Sequence, residues 1–289
     1  MLEAWYRTLK IFFDSQRIAT QYIVDNTITQ KITSFPGVKA NLILEIMTKL
    51  GLQPIVLRPP EEIIDSDGFL CLSNIESTTR RLFGALFMYS KGGLKVEEEV
   101  QIYPDIEFHI REGLLEIPSS KVDVLSEKIS KLIGKKMTID IILTIEWNKE
   151  SLVKLIKNLE RDGIRTNRVY YVSSRTSRYV DSYLLDGHMK SNTHPFLKVG
   201  KKVVFLKSST DIRTYANLSS LFIKLVWPDE QINIKDLKKI LWLVKKRVYR
   251  IQEFFVLKIP EPIHVFKNVR NMYLGEFQEK LTIPLRLLI

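Results

Sequence analysis

The side chains in this sequence that could do chemistry are mostly cations. Lys245, Lys246, Arg247 and Arg250 cluster on one late helical stretch, and Lys135-Lys136 and Lys201-Lys202 form short pairs at loop ends. Such groups position a nucleic-acid strand through its phosphates without reading its sequence. A solvated helix face is the plainer reading of any one of them. Near the start, Tyr6 and Lys10 stand four residues apart, the spacing at which two side chains share a helix face. Lys49 falls in the last turn of a later helical stretch, where an ammonium also complements the helix dipole. Catalytic groupings are missing. His109, His188, His194 and His264 have no nucleophile or acid at useful spacing. The single cysteine, Cys71, makes neither an intrachain disulfide nor a zinc-ligand pattern with them.

The 289 residues carry 44 Lys and Arg against 33 Asp and Glu, a net charge of +11. With 45% hydrophobic and 27% charged residues the composition is globular, which excludes a disordered chain. The length suffices for one large or two modest cores. Surplus positive charge suggests a polyanionic partner, but charge alone does not choose among nucleic acid, acidic protein and anionic membrane surface. Apolar runs such as Ile141-Ile142-Leu143 fall far short of the ~18 residues of a membrane span. Met1-Leu2-Glu3-Ala4-Trp5-Tyr6 shows no basic region leading into an apolar stretch, so no secretory leader is expected. The expectation is a cytoplasmic chain without direct membrane insertion.

The elements that must position these groups begin with a helix, since Trp5, Leu9, Phe12 and Phe13 recur at helical spacing. A short strand is expected at Gln21-Tyr22-Ile23-Val24. A second helix follows Pro36-Gly37, with Leu42, Ile43, Ile46 and Leu50 on one face and Gly51 at its end. Gln53 to Leu57 reads as a strand, and Pro59-Pro60 marks a domain boundary. Consecutive strands come next: Phe69 to Leu72, Leu82 to Tyr89, Val96 to Tyr103, Ile106 to Ile110 and Leu114 to Ile117. Ser120-x-x-Asp123 is a capping-box signature for a helix carrying Val124, Leu125, Ile129, Leu132 and Ile133. The isoleucine-rich Met137 to Trp147 predicts a buried strand. A helix with Leu152, Leu155, Ile156 and Leu159 then ends at Gly163, before a strand at Val169 to Val172. Strand–helix–strand after an antiparallel meander is an α/β pattern that fits an RNase H-like sheet. Ser173 to Lys202 reads as loop. Leu221 to Trp227 predicts a late strand leading into an amphipathic helix with Leu237, Leu241, Val244, Val248 and Ile251 inward.

The first and last segments together resemble the MID and PIWI domains of the Argonaute family. In that family a Tyr and a Lys one helical turn apart, a Gln after a short turn and a later Lys before a glycine form the pocket for the guide 5′-phosphate. Here Tyr6, Lys10, Gln21 and Lys49 stand in that order. Two ammonium groups would neutralise the phosphate, the amide would donate to it, and the tyrosine ring would stack on the first base. Asn192-Thr193-His194-Pro195-Phe196 is similar to a PIWI loop, and Ile259-Pro260-Glu261-Pro262-Ile263 follows the family's closing order. The resemblance implies that the Ile289 carboxylate returns to the pocket, where it and Gln21 could share a Mg²⁺ with the phosphate. It is thin in identity between about residues 90 and 165. The implied fold is α/β: a truncated Rossmann-like MID segment over 1–58, followed by an RNase H-like PIWI domain over 59–289. Lys245, Lys246 and Arg250 would lie near the guide backbone.

PIWI nucleases cut with an acidic tetrad that holds two divalent metals. Ungapped counting puts Ser73 at the first position, Ser173 at the second and Lys267 at the last, and none of these can act as a carboxylate or imidazole ligand. The resemblance therefore implies a catalytically inactive chain, not an enzyme. Asp65, Asp67 and Glu76 lie near the first position, so a shifted alignment could restore one acid there, whereas the nearest acid after Ser173 is Asp181. Short prokaryotic Argonautes, which lack N and PAZ domains and act with a separately encoded partner, are the nearest type. The expected function is guide-directed recognition of invading nucleic acid, RNA or DNA, with a partner protein completing the lobe and a downstream effector acting in antiviral defence. The alternatives are an RNase H-like nuclease with shifted ligands and a scaffold subunit that binds no guide.

Overall fold

The computed structural model describes residues 65–74, 82–88, 97–103, 106, 108–134, 136–173, 196–199, 203–207, 220–244 and 282–284, with scattered positions between 9 and 50. Among those scattered positions Leu9, Phe12 and Phe13 are helical, as are residues 39, 40, 42, 43, 46 and 47. Both helices expected there have helical residues, but several apolar positions face water: Phe12 is 56% exposed, Ile43 46%. The expected strands at Gln21 to Val24 and Gln53 to Leu57, and the boundary at Pro59-Pro60, lie outside the described residues.

From Gly68 the apolar runs become strands. β1 (Gly68–Asn74), β2 (Leu82–Met88) and β3 (Glu97–Tyr103) form an antiparallel meander. The run expected at Ile106 to Ile110 pairs only over β4 (His109–Arg111), which forms a hairpin with β5 (Leu114–Glu116). Ile106 and Phe108 are buried outside any strand, so their apolar character reflects packing and not sheet pairing. Helix α1 (Ser119–Ile133) follows, but without the expected capping box. Pro118 occupies the N-cap position and no side chain caps the helix, while Asp123 is drawn instead to Lys154 and Asn158. Its inner face is also turned from the expected one: Val122 is buried and Val124 is 37% exposed. Gly134 ends the helix at φ 66°, a left-handed conformation that glycine adopts without a Cβ penalty.

β6 (Met137–Leu143), α2 (Lys149–Arg161) and β7 (Ile164–Ser173) make the parallel crossover. The Asn148 side chain caps α2, accepting from the Glu150 and Ser151 backbone N–H groups at 2.7 and 3.3 Å. Within the stretch expected to be loop, Phe196–Val199 forms a strand, β8; its partner is β9 (Val203–Lys207). β10 (Ser220–Trp227) and α3 (Ile234–Val244) come next, and β11 (Thr282–Pro284) pairs with β3.

Among the described residues the main sheet has nine strands in the order β11-β3-β2-β1-β6-β7-β10-β9-β8. β1, β6 and β7 run parallel to one another and the flanking pairs are antiparallel. That is the RNase H-like arrangement expected from the order of the runs. The sheet has two unlike faces. On one, Leu70, Leu72, Ile139, Ile141, Leu143 and Val169 pack with Val122, Leu125 and Ile129 of α1 and Leu152, Leu155 and Leu159 of α2. That face is wholly apolar at its centre, where alternate strand residues meet two helical stripes. Across the other face lies α3, which brings charge into the core.

Candidate functional site at the carboxyl end of the sheet

Side chains at the carboxyl ends of parallel strands are not needed for the ladder, and the crevice there is where open α/β sheets place their ligands. Here those ends belong to β1, β6 and β7. Ser73 stands one residue before the end of β1 and is fully buried. Beside it the chain leaves β6 through Thr144, whose backbone N–H donates to the Leu72 carbonyl at 3.1 Å. The Thr144 hydroxyl donates to the Ser73 hydroxyl. Two residues on, Glu146 is held by its backbone: its carbonyl accepts from Leu115 N–H at 2.8 Å, and Asn148 N–H donates to the Leu115 carbonyl at 2.8 Å. The β4–β5 hairpin thus pins the exit of β6. From β10, Lys224 reaches across to the Glu146 carboxylate at 2.5 Å.

In this arrangement Ser173 stands apart from Ser73. Ser173 does end β7 and is buried, but β7 is one strand removed from β1. The strand beside β1 is β6, and the side chain that bonds Ser73 across that pair is Thr144. Residue spacing could not reveal this, because strand order is set by the crossover and not by sequence distance.

The shifted-alignment acids sit at the wrong end. Asp65 and Asp67 precede β1, whose seven residues span about 20 Å, away from Ser73. Each has partners of its own. Asp67 accepts from Thr138 N–H at 2.8 Å, while Asp65 pairs with Lys239 and, at 3.2 Å, with Lys235. Glu76 lies outside the described residues, as do Tyr6, Lys10, Gln21, Lys49, Lys245, Lys246, Arg250, Lys267 and Ile289.

A second polar cluster clamps α3 to the sheet, and sequence reasoning missed it. Lys239 is 1% exposed and its ammonium lies 3.1 Å from the fully buried Asp140 of β6. Asp140 also accepts from Ser66 at 2.7 Å and from Asn167 at 2.9 Å. Alongside, Asp236 accepts from the Tyr170 hydroxyl at 2.7 Å and pairs with Arg168 at 2.9 Å. Burial raises the Asp140 carboxyl above the ordinary range, and Lys239 and Ser66 oppose that without cancelling it. Burial acts on Asp65 too, but Lys239 and Lys235 outweigh it and hold that carboxyl below the ordinary range.

The two carboxyls therefore have opposite pH signatures. Asp65 stabilises the fold above the ordinary carboxylate value of about 4, and this is lost as pH falls through its lower folded value. Asp140 favours the fold at acid pH, a contribution lost as pH rises through its raised value. Asp65→Asn should flatten the decline of stability below about pH 4. Urea unfolding at stepped pH would measure it, and an acid limb as steep as the wild type's would count against this assignment.

The described residues at the carboxyl end do not fit a two-metal centre. Two hydroxyls, one bonded to the other, and a carboxylate already on an ammonium offer too little anionic oxygen for hard cations. Among the described residues no three His, Cys, Asp or Glu side chains converge on a metal-sized position. No helix among them is long and apolar enough to cross a membrane.

No protein-family model matches the sequence, and no curated protein matches it. Solved structures do. The chain superposes on the Argonaute of Clostridium butyricum, bound to a guide DNA and a 19-mer target DNA, with TM-score 0.63 and 15% identity over 98% of this chain and 37% of that one. For the Aquifex aeolicus Argonaute the TM-score is 0.61 at 14% identity, over 99% of this chain and 39% of that one. This is an Argonaute fold. The Methanocaldococcus jannaschii Argonaute in complex with guide DNA gives TM-score 0.55 and 15% identity, over 94% of this chain and 36% of that one. The chain thus spans well under half the length of the Argonautes it resembles.

Proposed function

We propose that this chain binds a 5′-phosphorylated guide strand and uses guide–target pairing to recognise invading nucleic acid without cutting it. The observation that carries this reading is the carboxyl end of the sheet, where an Argonaute fold has a buried serine at 73 bonded to Thr144. Tyr6, Lys10, Gln21 and Lys49 form the phosphate pocket of a MID segment over 1–58, with Mg²⁺ shared by Gln21 and the Ile289 carboxylate. Residues 59–289 form the PIWI domain, in which Lys245, Lys246 and Arg250 follow the guide backbone. Recognition passes to a partner protein and effector in prokaryotic antiviral defence, in the cytoplasm. The guide-bound Argonautes of similar fold and the net charge of +11 support a polyanionic partner of this kind.

A guide with a 5′-phosphate should bind about ten- to a hundredfold more tightly than its 5′-hydroxyl counterpart, the worth of hydrogen bonds to a charged group. Lys10→Ala with Lys49→Ala should erase the difference, as read by fluorescence anisotropy. Equal affinities in the unaltered chain would favour the scaffold reading. The alternative reading is an RNase H-like nuclease with shifted metal ligands. Site-specific cleavage of a complementary target in Mg²⁺ or Mn²⁺ would establish that reading and end the non-cutting one.

A further inference from the structure

The hairpin of β4 and β5 stands outside the main sheet, and its two edges are used differently. On the β5 side Leu115 spends both backbone groups on the exit of β6. Its N–H donates to the Glu146 carbonyl and its carbonyl accepts from Asn148 N–H, each at 2.8 Å. Register sets Leu115 opposite Ile110. In an antiparallel ladder, a residue whose N–H and C=O point outward faces one whose groups point outward at the other edge. The Ile110 N–H and C=O therefore point away from the hairpin, and among the described residues no strand lies on that side. The Ile110 side chain is apolar and 46% exposed. Its neighbours His109 and Arg111 are exposed too. Arg111 makes no ion pair among the described residues, although Glu112 and Glu116 line the same hollow.

Such an edge selects its occupant. Backbone donors and acceptors in alternation are met by another extended polypeptide, and not by a phosphate backbone, whose oxygens only accept. A second copy of this chain would set Arg111 against His109 or Arg111 of its mate, with no carboxylate opposite either. Natural edges are commonly guarded by a charge or a proline, yet the middle residue of β4 is isoleucine. We propose that β4 is the docking edge for the partner protein. An extended segment of that partner adds as a third strand, with an apolar residue beside Ile110 and a carboxylate beside Arg111. The inference rests on the partner half of the proposed function and is independent of guide binding.

Ile110→Pro isolates the edge, because proline removes an N–H that the hairpin itself does not use. The probes are two short capped peptides, one alternating valine with aspartate and one valine with lysine. Each is labelled and titrated with the full chain, without nucleic acid, and binding is read by fluorescence anisotropy. The aspartate peptide should bind about tenfold more tightly than the lysine peptide, the worth of one hydrogen bond to a charged group. Ile110→Pro should weaken it by about tenfold or more while the thermal midpoint stays the same. Arg111→Glu, at an exposed position, should reverse the preference between the peptides. Equal binding of both peptides, binding unaltered in Ile110→Pro, or no binding of either at millimolar concentration would each overturn the proposal. So would a dimer of the full chain, seen by analytical ultracentrifugation, that Ile110→Pro dissociates, since a second copy would then hold the edge. If Ile110→Pro fails to fold, Arg111→Glu decides alone, and an unreversed preference overturns the proposal. With no guide in the sample, failure of 5′-phosphate recognition leaves these outcomes unchanged, and their failure leaves the guide comparison standing.

Discussion

Lys239→Met should destabilise the fold by about 3–5 kcal/mol, the cost of leaving a buried charge without its partner. The ammonium is 1% exposed and lies between Asp140, which is fully buried, and Asp65. Methionine fills much the same volume, so the loss reports charge and not a cavity. Ser66 and Asn167 would still donate to Asp140, but neither carries a positive charge. With Lys239 gone, burial would raise the Asp140 carboxyl further. Asp140→Asn should cost less in the Lys239→Met background than alone, since the two share one interaction. Urea denaturation of the four chains gives the coupling directly. A loss under about 1 kcal/mol for Lys239→Met, the range of exposed pairs, would show that the ammonium is solvated and the clamp unimportant.

On the opposite face the same size of effect comes from volume. Leu155→Ala should cost about 2–5 kcal/mol, because this side chain of α2 is fully buried against the apolar face of the sheet. Leu155→Met should cost under about 1.5 kcal/mol, since methionine keeps the volume and adapts its shape. Thermal or urea unfolding would read both. A mild Leu155→Ala would mean that α1 and α2 close over the vacated space. The pair of experiments separates the faces: the apolar one accepts any side chain of the right size, and the charged one does not.

Much of the sheet was legible because its strands are short apolar runs bounded by turn chemistry. Phe69 to Leu72, Leu82 to Tyr89 and Leu221 to Trp227 all became strands within two residues of the expected bounds. Leu152, Leu155, Ile156 and Leu159 gave α2 through their period alone, and all four are buried. What escaped depends on partners far away in sequence. Lys239 looks like any polar position on an amphipathic helix until Asp140, ninety-nine residues earlier, is placed opposite it. Asp123 looks like a cap residue, yet Lys154 and Asn158 of the neighbouring helix claim it. That β6 and not β7 lies beside β1 is likewise set by the crossover and not by sequence distance. The four-residue phosphate pattern is of another kind, since its members lie outside the described residues.

If a nucleic-acid strand binds as proposed, the pairing of Glu146 with Lys224 has a consequence for how it arrives. A cleft built of several carboxylates is strongly negative until metal fills it, and it repels a polyanion in that state. Association then waits on ions and follows their concentration. The Glu146–Lys224 pair sums to zero charge on its own. A phosphate backbone approaching this end of the sheet meets no electrostatic barrier from it, and the rate of encounter there should not depend on divalent ions.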